Sequence, residues 1–421
     1  KQPKRRYTMR YTGFLCGGFT LAGNAPAPSD VDGAWRRIEK NKGEIEEFES
    51  FYYPDFVAFN YGDGRCGMAR YSLDVGRDVR VCAFGREYGV TVRSVSLFVA
   101  PYRLMLFAVH VEQSSGDAND FTSVMSVLRN VGEYDPVAVG GFIDAALAPV
   151  ARLYDAMAGQ RAGAAGYRPL VENGNKLKIF QIIELDDPEW QAADTDRLLF
   201  ETAMLMRVGS SAGSSSPEYF GRIMGNNRIS IYNNWKALAL FDTFTMLGHD
   251  VPDWLRQNWI DNYFNMIYVS LLFNKLYLFR LNILFRKRLR KIDRLEREFD
   301  EFERTCRFAK ISYNFMPLEI CDGINRGLDI DSEEERLYQM IERENDRAEK
   351  RSDQHMNSLL FFLTCLASLS AVWDASCLLN EMYPFDSYVG SSLFGFRMVA
   401  YLLILLIATA ILISRMLGRK R

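Results

Sequence analysis

Two apolar stretches near the C-terminal end, 357–379 and 398–414, set the first limit on what this chain can become. The second, MVAYLLILLIATAILIS, carries no charge and is long enough to span most of a bilayer as a helix. The first, NSLLFFLTCLASLSAVWDASCLL, is interrupted by a single acid, Asp374. Between them, residues 380–396 hold Glu381 and Asp386 but no Lys or Arg. Basic residues flank the pair on its other side: Lys350 and Arg351 before it, Arg415, Arg419, Lys420 and Arg421 after it. By the charge bias of short loops, both ends face the cytoplasm and only the loop is exported. The N-terminal KQPKRRYTMRYTGF is basic with no apolar core behind it. It does not read as a secretory signal, so membrane insertion is expected to rest on the C-terminal hairpin.

The remainder is large enough for about two or three domains. Of 421 residues, 48% are hydrophobic, and 51 Lys and Arg face 53 Asp and Glu. That balance supplies no field to gather nucleic acid, so direct nucleic-acid binding is not expected. The seven cysteines include no Cys-x-x-Cys pair and the three histidines are far apart, which argues for reduced thiols over a zinc site or disulfide framework.

Residues 1–245 read as a mixed α/β cytosolic domain. Strand-like runs rich in Val, Phe, Tyr and Ile occur at 7–14, 55–60, 79–84, 90–100, 104–112 and 176–185. Helical patterns occur at 121–131, 141–158 and 196–207, and flexible connections at 159–166 and 209–217. Segment 62–67, GDGRCG, formally fits a dinucleotide fingerprint, but no helical face follows it and a hairpin turn is the better reading. Asn233-Asn234-Trp235-Lys236 could line a cleft, with a buried tryptophan as the default, and His110 reads as a core or edge histidine.

From residue 246 to 330 the pattern turns to long antiparallel helices. The aromatic run 259–285 has the length of a third span, yet Asp261, Asn265, Asn274, Lys275 and Arg280 recur through it. Each would be costly against lipid, which favours a buried helix. Apolar residues then recur every three or four positions at Phe285, Leu289, Ile292, Leu295, Phe299 and Phe302, a coiled-coil-like seam expected to break at Pro317, Gly323 and Gly327. The cluster Arg286–Lys291 is balanced by following acids and reads as a solvated face. A capping box at Ser332 and Glu335 opens a stalk helix, 331–356, that runs without Pro or Gly into the first span, 357–379. The exported loop 380–397 and the second span 398–417 complete the chain. The fold class expected is thus an α+β membrane protein: an α/β cytosolic domain, a long helical stalk and two C-terminal transmembrane helices. A helix of that length cannot bury itself alone, so a homo-oligomer in contact with lipid is expected.

This layout, together with the stalk-to-span segment ERLYQMIERENDRAEKRSDQHMNSLLFFLTCLASLSA, resembles the CorA family of divalent cation transporters. The family closes its first span with Gly-Met-Asn at the outer pore mouth. This chain has Leu378-Leu379-Asn380 there, followed by NEMYP, so the Asn is kept while Gly and Met are lost. The resemblance implies a homopentamer in a prokaryotic plasma membrane, with the first span lining the pore. The stripe Asn357, Leu360, Thr364, Ser368, Ala371 and Asp374 would then be pore-lining, and Asn380, Glu381 and Asp386 would form the mouth. Small and hydroxyl side chains suit a watery face equally with close helix packing, whereas an acid inside a span marks a cavity or a partner. Loss of the Gly-Met pair points to the CorA-like membrane effectors of type III CRISPR antiviral systems, in which the cytosolic part senses a nucleotide second messenger. The alternative the resemblance implies is a constitutive Mg²⁺ or other divalent cation transporter. The chain carries no Walker lysine motif, no Gly-x-Ser-x-Gly and no His-Glu-x-x-His, and no enzymatic activity is expected. An effector should carry a basic or aromatic cytosolic pocket, and a transporter should carry carboxylate clusters that bind metal.

Overall fold

The computed structural model describes residues 10–23, 25–114, 116–130, 135–158, 176–210, 214–287 and 292–382. The second apolar stretch, Asp386, most of the 380–397 loop, the connection 159–166 and residues 288–291 of the basic cluster lie outside them. The chain divides into two compact units, Lys1–Gln339 and Met340–Arg421.

The first unit is a mixed α+β fold built on one nine-stranded sheet. Its strands are β1 (Arg10–Thr20), β2 (Arg36–Ile38), β3 (Ala69–Ala83), β4 (Arg86–Ala100), β5 (Leu104–Gln113), β6 (Lys178–Leu185), β7 (Arg228–Tyr232), β8 (Trp235–Ala239) and β9 (Thr243–His249). Their spatial order is β2-β3-β4-β5-β1-β6-β9-β8-β7. Every pairing is antiparallel except β6 with β9. β1 is buried along almost its whole length, because helices cover both faces of the sheet. On one face Tyr11 stacks on Phe121 and Phe19 meets Tyr154 edge-on. On the other, Phe14 stacks on Phe264 at 3.8 Å. The strand alternation thus delivers each aromatic to its own layer.

The first layer holds α1 (Ala118–Leu128), α2 (Pro136–Phe142), a π-helical turn (Ile143–Leu147) and α3 (Ala148–Met157). The second holds a π-helical segment (Trp259–Tyr268) that runs into α4 (Val269–Lys287). Antiparallel to α4 lies α5 (Ile292–Cys306), with Tyr277 and Phe302 4.6 Å apart. α6 (Phe315–Leu328) and α7 (Ile330–Met382) follow. The division expected at 245 falls inside β9, and the helices beyond it pack on the same sheet.

The helices over Val137–Met157 and Asp253–Arg286 are long and apolar enough to cross a bilayer, but 56% and 78% of their most apolar 18-residue windows are buried within the fold. Three polar residues of the second find partners there. Lys275 Nζ lies 3.3 Å from Glu333 Oε1, Asn282 Nδ2 donates to Glu333 Oε2 at 2.8 Å, and Arg280 Nη1 donates to the Tyr102 carbonyl at 2.7 Å. They are the anchors that hold α4 to its neighbours.

Several expectations are corrected. Segment 55–60 is helical (Pro54–Asn60), with Pro54 opening the first turn and Phe56, Val57 and Phe59 buried. The GDGRCG segment joins that helix to β3, so it is neither a strand–helix phosphate loop nor a hairpin. The seam packs inside the same chain, with Phe302 against Tyr277, Phe299 against Tyr338, and Leu295 buried. Pro317 sits in the first turn of α6, where the missing N–H costs nothing. Gly323 and Gly327 lie inside α6 and let it approach β7 and β8. A Cβ on Gly327 would stand 2.8 Å from the Ala239 carbonyl carbon, and one on Gly323 2.4 Å from Ile229 Cδ1. Ser332 caps nothing. It is inside α7, which opens at Ile330 after the left-handed Asp329, and its hydroxyl donates to the Asp329 carboxylate.

This glycine packing predicts opposite signs for one chemical change. Gly327→Ala should destabilise by about 1–3 kcal/mol, because backbone blocks the new methyl. Gly221→Ala, on a helix where nothing lies within 4 Å, should stabilise by about 0.5–1 kcal/mol. Chemical denaturation of both variants checks this, and equal signs would refute it.

In the second unit the described chain is the remainder of α7. It carries exposed Leu359, Leu360, Phe362, Leu363, Leu366 and Leu378, an apolar surface without cover among the described residues.

Candidate functional site

A cleft of about 1650 Å³ opens in the first unit. Three stretches far apart in sequence build it: residues 53–67, which include loop 62–67, the turn Pro101–Arg103, and residues 294–310, which are one face of α5 and the segment that leaves it. Seven Lys or Arg side chains line it against four Asp or Glu. Tyr53, Phe59, Tyr102 and Phe308 supply aromatic wall. Such a mixture suits an anion carrying a flat ring system, with guanidinium groups for the charge and aromatic faces for the ring.

Loop 62–67 is folded to present Arg65. A Cβ on Gly62 would lie 2.7 Å from Gly67 Cα, one on Gly67 2.6 Å from the Phe59 carbonyl oxygen, and Gly64 has φ +88°. All three positions therefore require glycine. Asp63 Oδ1 accepts from the Arg65 and Cys66 backbone N–H groups at 2.8 and 3.3 Å. Those two bonds hold its carboxyl below the ordinary range.

The turn between β4 and β5 adds Arg103. Tyr102 and Arg103 both have left-handed backbones, φ 57° and 59°. Each costs about 1–2 kcal/mol for a residue with a Cβ. The turn is held by Arg280 on the Tyr102 carbonyl, by Tyr102 against Tyr277 at 4.5 Å, and by the Tyr102 hydroxyl 3.2 Å from Thr305 Oγ1. Burial pushes the Tyr102 phenol up, so it stays neutral.

α5 turns its apolar side to Tyr277 and places Arg294, Glu298, Glu301 and Arg304 along the cleft at helical spacing. Beyond it, Arg307 joins the cleft to the start of α7. Its Nη2 donates to Glu334 Oε2 at 2.6 Å and lies 3.4 Å from Asp331 Oδ1. Glu303, 4.0 Å from Arg307 Nε, is pushed up to about 7 by burial and then by the neighbouring Glu334 charge.

A carboxyl raised from 4.5 to about 7 favours the folded state fully below pH 4.5 and loses that contribution as pH rises through about 7. Glu303→Gln should therefore flatten the fall in thermal stability across this window and melt above the parent protein at pH 8. Equal slopes for the two proteins between pH 5 and 8 would contradict this.

The expected pore stripe lies on α7. Asn357, Leu360, Thr364, Ser368, Ala371 and Asp374 are all exposed. Thr364 Oγ1 donates to the Leu360 carbonyl at 2.7 Å and Ser368 Oγ to the Thr364 carbonyl at 2.8 Å, so both hydroxyls are satisfied within their own helix. Asn380 and Glu381 belong to the last turn of α7, which ends at Met382, rather than to a loop. Trp235 is buried in β8, and His110 stacks on Phe14 at 4.5 Å. Among the described residues no group of three or more His, Cys, Asp or Glu could hold a metal ion, so the Mg²⁺ expectation finds no donor set there.

None of the cleft residues stands out in the sequence as a ligand site. The one local sign is the glycine spacing around Arg65, which a dinucleotide fingerprint shares. No family model matches this chain, and no curated protein or solved structure matches it.

Proposed function

We propose that this chain is one subunit of a CorA-like homo-oligomeric ion channel in a prokaryotic plasma membrane, gated by its cytosolic domain on binding a nucleotide-type anion. The observation that carries this reading is the basic, aromatic-walled cleft. It is the kind of pocket expected of an effector rather than of a carboxylate-based transporter. Arg307 supplies the route from ligand to pore. It lines the cleft and bonds Glu334 in the second turn of α7, the helix that carries the first apolar stretch. A ligand that draws Arg307 into the cleft binds one arrangement of that contact better than the other, which is the condition for gating. The exposed apolar residues between 359 and 378 support lipid or sister subunits as neighbours. A pentamer, cytoplasmic termini and the antiviral branch belong to the same proposal and follow from the family resemblance.

The test is ion flux from liposomes carrying the full chain, with nucleotide signals and Mg²⁺ varied independently. Flux that appears only with nucleotide is the expected result. Flux indifferent to nucleotide and shut by millimolar Mg²⁺ would replace this reading with the constitutive transporter.

A further inference from the structure

A second cavity, of about 410 Å³, shares the segment 307–310 with the cleft. Its walls are apolar at Phe56, Leu271, Phe308 and Leu318. Its polar lining has an unusual feature. Asn274 Oδ1 and Asn325 Oδ1 are both buried, and neither has a hydrogen-bond partner among the described residues. Asn274 is only 4% exposed. Buried acceptors are almost always paired, so two orphans on one cavity mark a place shaped for N–H donors.

Two donors on the cavity are committed elsewhere. Asn325 Nδ2 donates to both Asp331 oxygens at 2.8 Å, and Arg307 Nη2 is held by Glu334. A bare dication would need about six oxygens around it and would leave the apolar walls unused. A flat ring with amino hydrogens uses both the walls and the acceptors. The volume falls within the usual range for small-ligand sites, about 300–1,000 Å³.

We infer that this cavity receives the amino-bearing edge of a nucleobase whose phosphates lie in the basic cleft, and so decides which nucleotide the protein accepts. The inference rests on the reading of the cleft as an anion site.

The experiment titrates the full chain, in detergent, with tripolyphosphate and with two nucleotide pairs: ATP against purine riboside triphosphate, and GTP against ITP. Within each pair only the exocyclic amine differs. Tripolyphosphate should bind, and the amino-bearing member of at least one pair should bind about tenfold more tightly than its partner. Asn274→Leu should erase that difference and leave tripolyphosphate affinity unchanged. Asn325→Leu, at a less buried position, repeats the comparison independently of how well the first variant folds. Tripolyphosphate binding with no difference within either pair, or a difference that survives both variants, would overturn the base subsite and leave the cleft standing. Absence of binding by every one of these probes would overturn both.

Discussion

Reversing two cleft charges together, Arg65→Glu with Arg304→Glu, should weaken tripolyphosphate binding at least a hundredfold. Each arginine can give an anion a charge-assisted hydrogen bond worth about 1.5–3 kcal/mol, and every 1.4 kcal/mol is about tenfold in affinity. Both side chains are exposed on the cleft wall, so the fold should tolerate the change within about 0.5 kcal/mol. Titration calorimetry beside a melting curve separates lost binding from lost structure. The affinity of the parent should also fall steeply with salt, since exposed charges are screened over about 10 Å at 0.1 M. Unchanged binding by the double variant would place the anion elsewhere and remove the support for nucleotide gating.

Asp242→Ala should cost about 3–5 kcal/mol at neutral pH, the range for breaking a buried ion pair by removing one partner. Asp242 bonds Lys178 Nζ at 2.8 Å and Arg129 Nη2 at 2.7 Å, and the Lys178 side chain is only 5% exposed. Burial pushes Lys178 down to about 8 even though Asp242 pulls the other way. Removing the aspartate leaves a buried ammonium with the carbonyl of Phe241 as its remaining acceptor. The pH dependence follows from the sign. A lysine whose folded pKa is lowered from 10.5 to about 8 favours the folded state most at high pH, and that contribution is lost as pH falls through about 8. The deficit of Asp242→Ala should therefore shrink by pH 9, where Lys178 is neutral. Denaturant titration at pH 7 and pH 9 checks both magnitude and sign. An equal deficit at the two values would show that the lysine charge is not its cause.

Strands with clean alternation are legible in the amino-acid sequence alone. Runs 90–100 and 104–112 lie within β4 and β5, joined as expected through Pro101, Tyr102 and Arg103. The burial of the 259–285 helix is legible too, because polar residues recurring in an apolar run require internal partners. Short or dual-purpose signals are the ones that mislead. FVAF reads as a buried strand by composition, and only Pro54 at the first turn betrays the helix. Gly323 and Gly327 read as breakers, but their purpose is a close contact with strands more than 80 residues earlier, which no local pattern records. The cleft is illegible for the same reason. Arg65, Arg103 and Arg304 meet only once the sheet has formed, and the left-handed pair Tyr102-Arg103 has no glycine to announce it.

The strand order has a consequence for how the chain comes to be folded. Five neighbouring strands, β2-β3-β4-β5-β1, come from residues 10–113, whereas β6, which pairs with the other edge of β1, comes only at 178–185. During synthesis the first five can assemble while β1 still offers its outer row of N–H and C=O groups to any strand nearby. Registry with β6, and through it with β9, closes that edge late because its partners are distant in sequence. The vulnerable species in production is thus the early half-sheet. A slower rate of translation beyond residue 113, or a chaperone that shields β1, should raise the yield of folded first unit without altering its final stability.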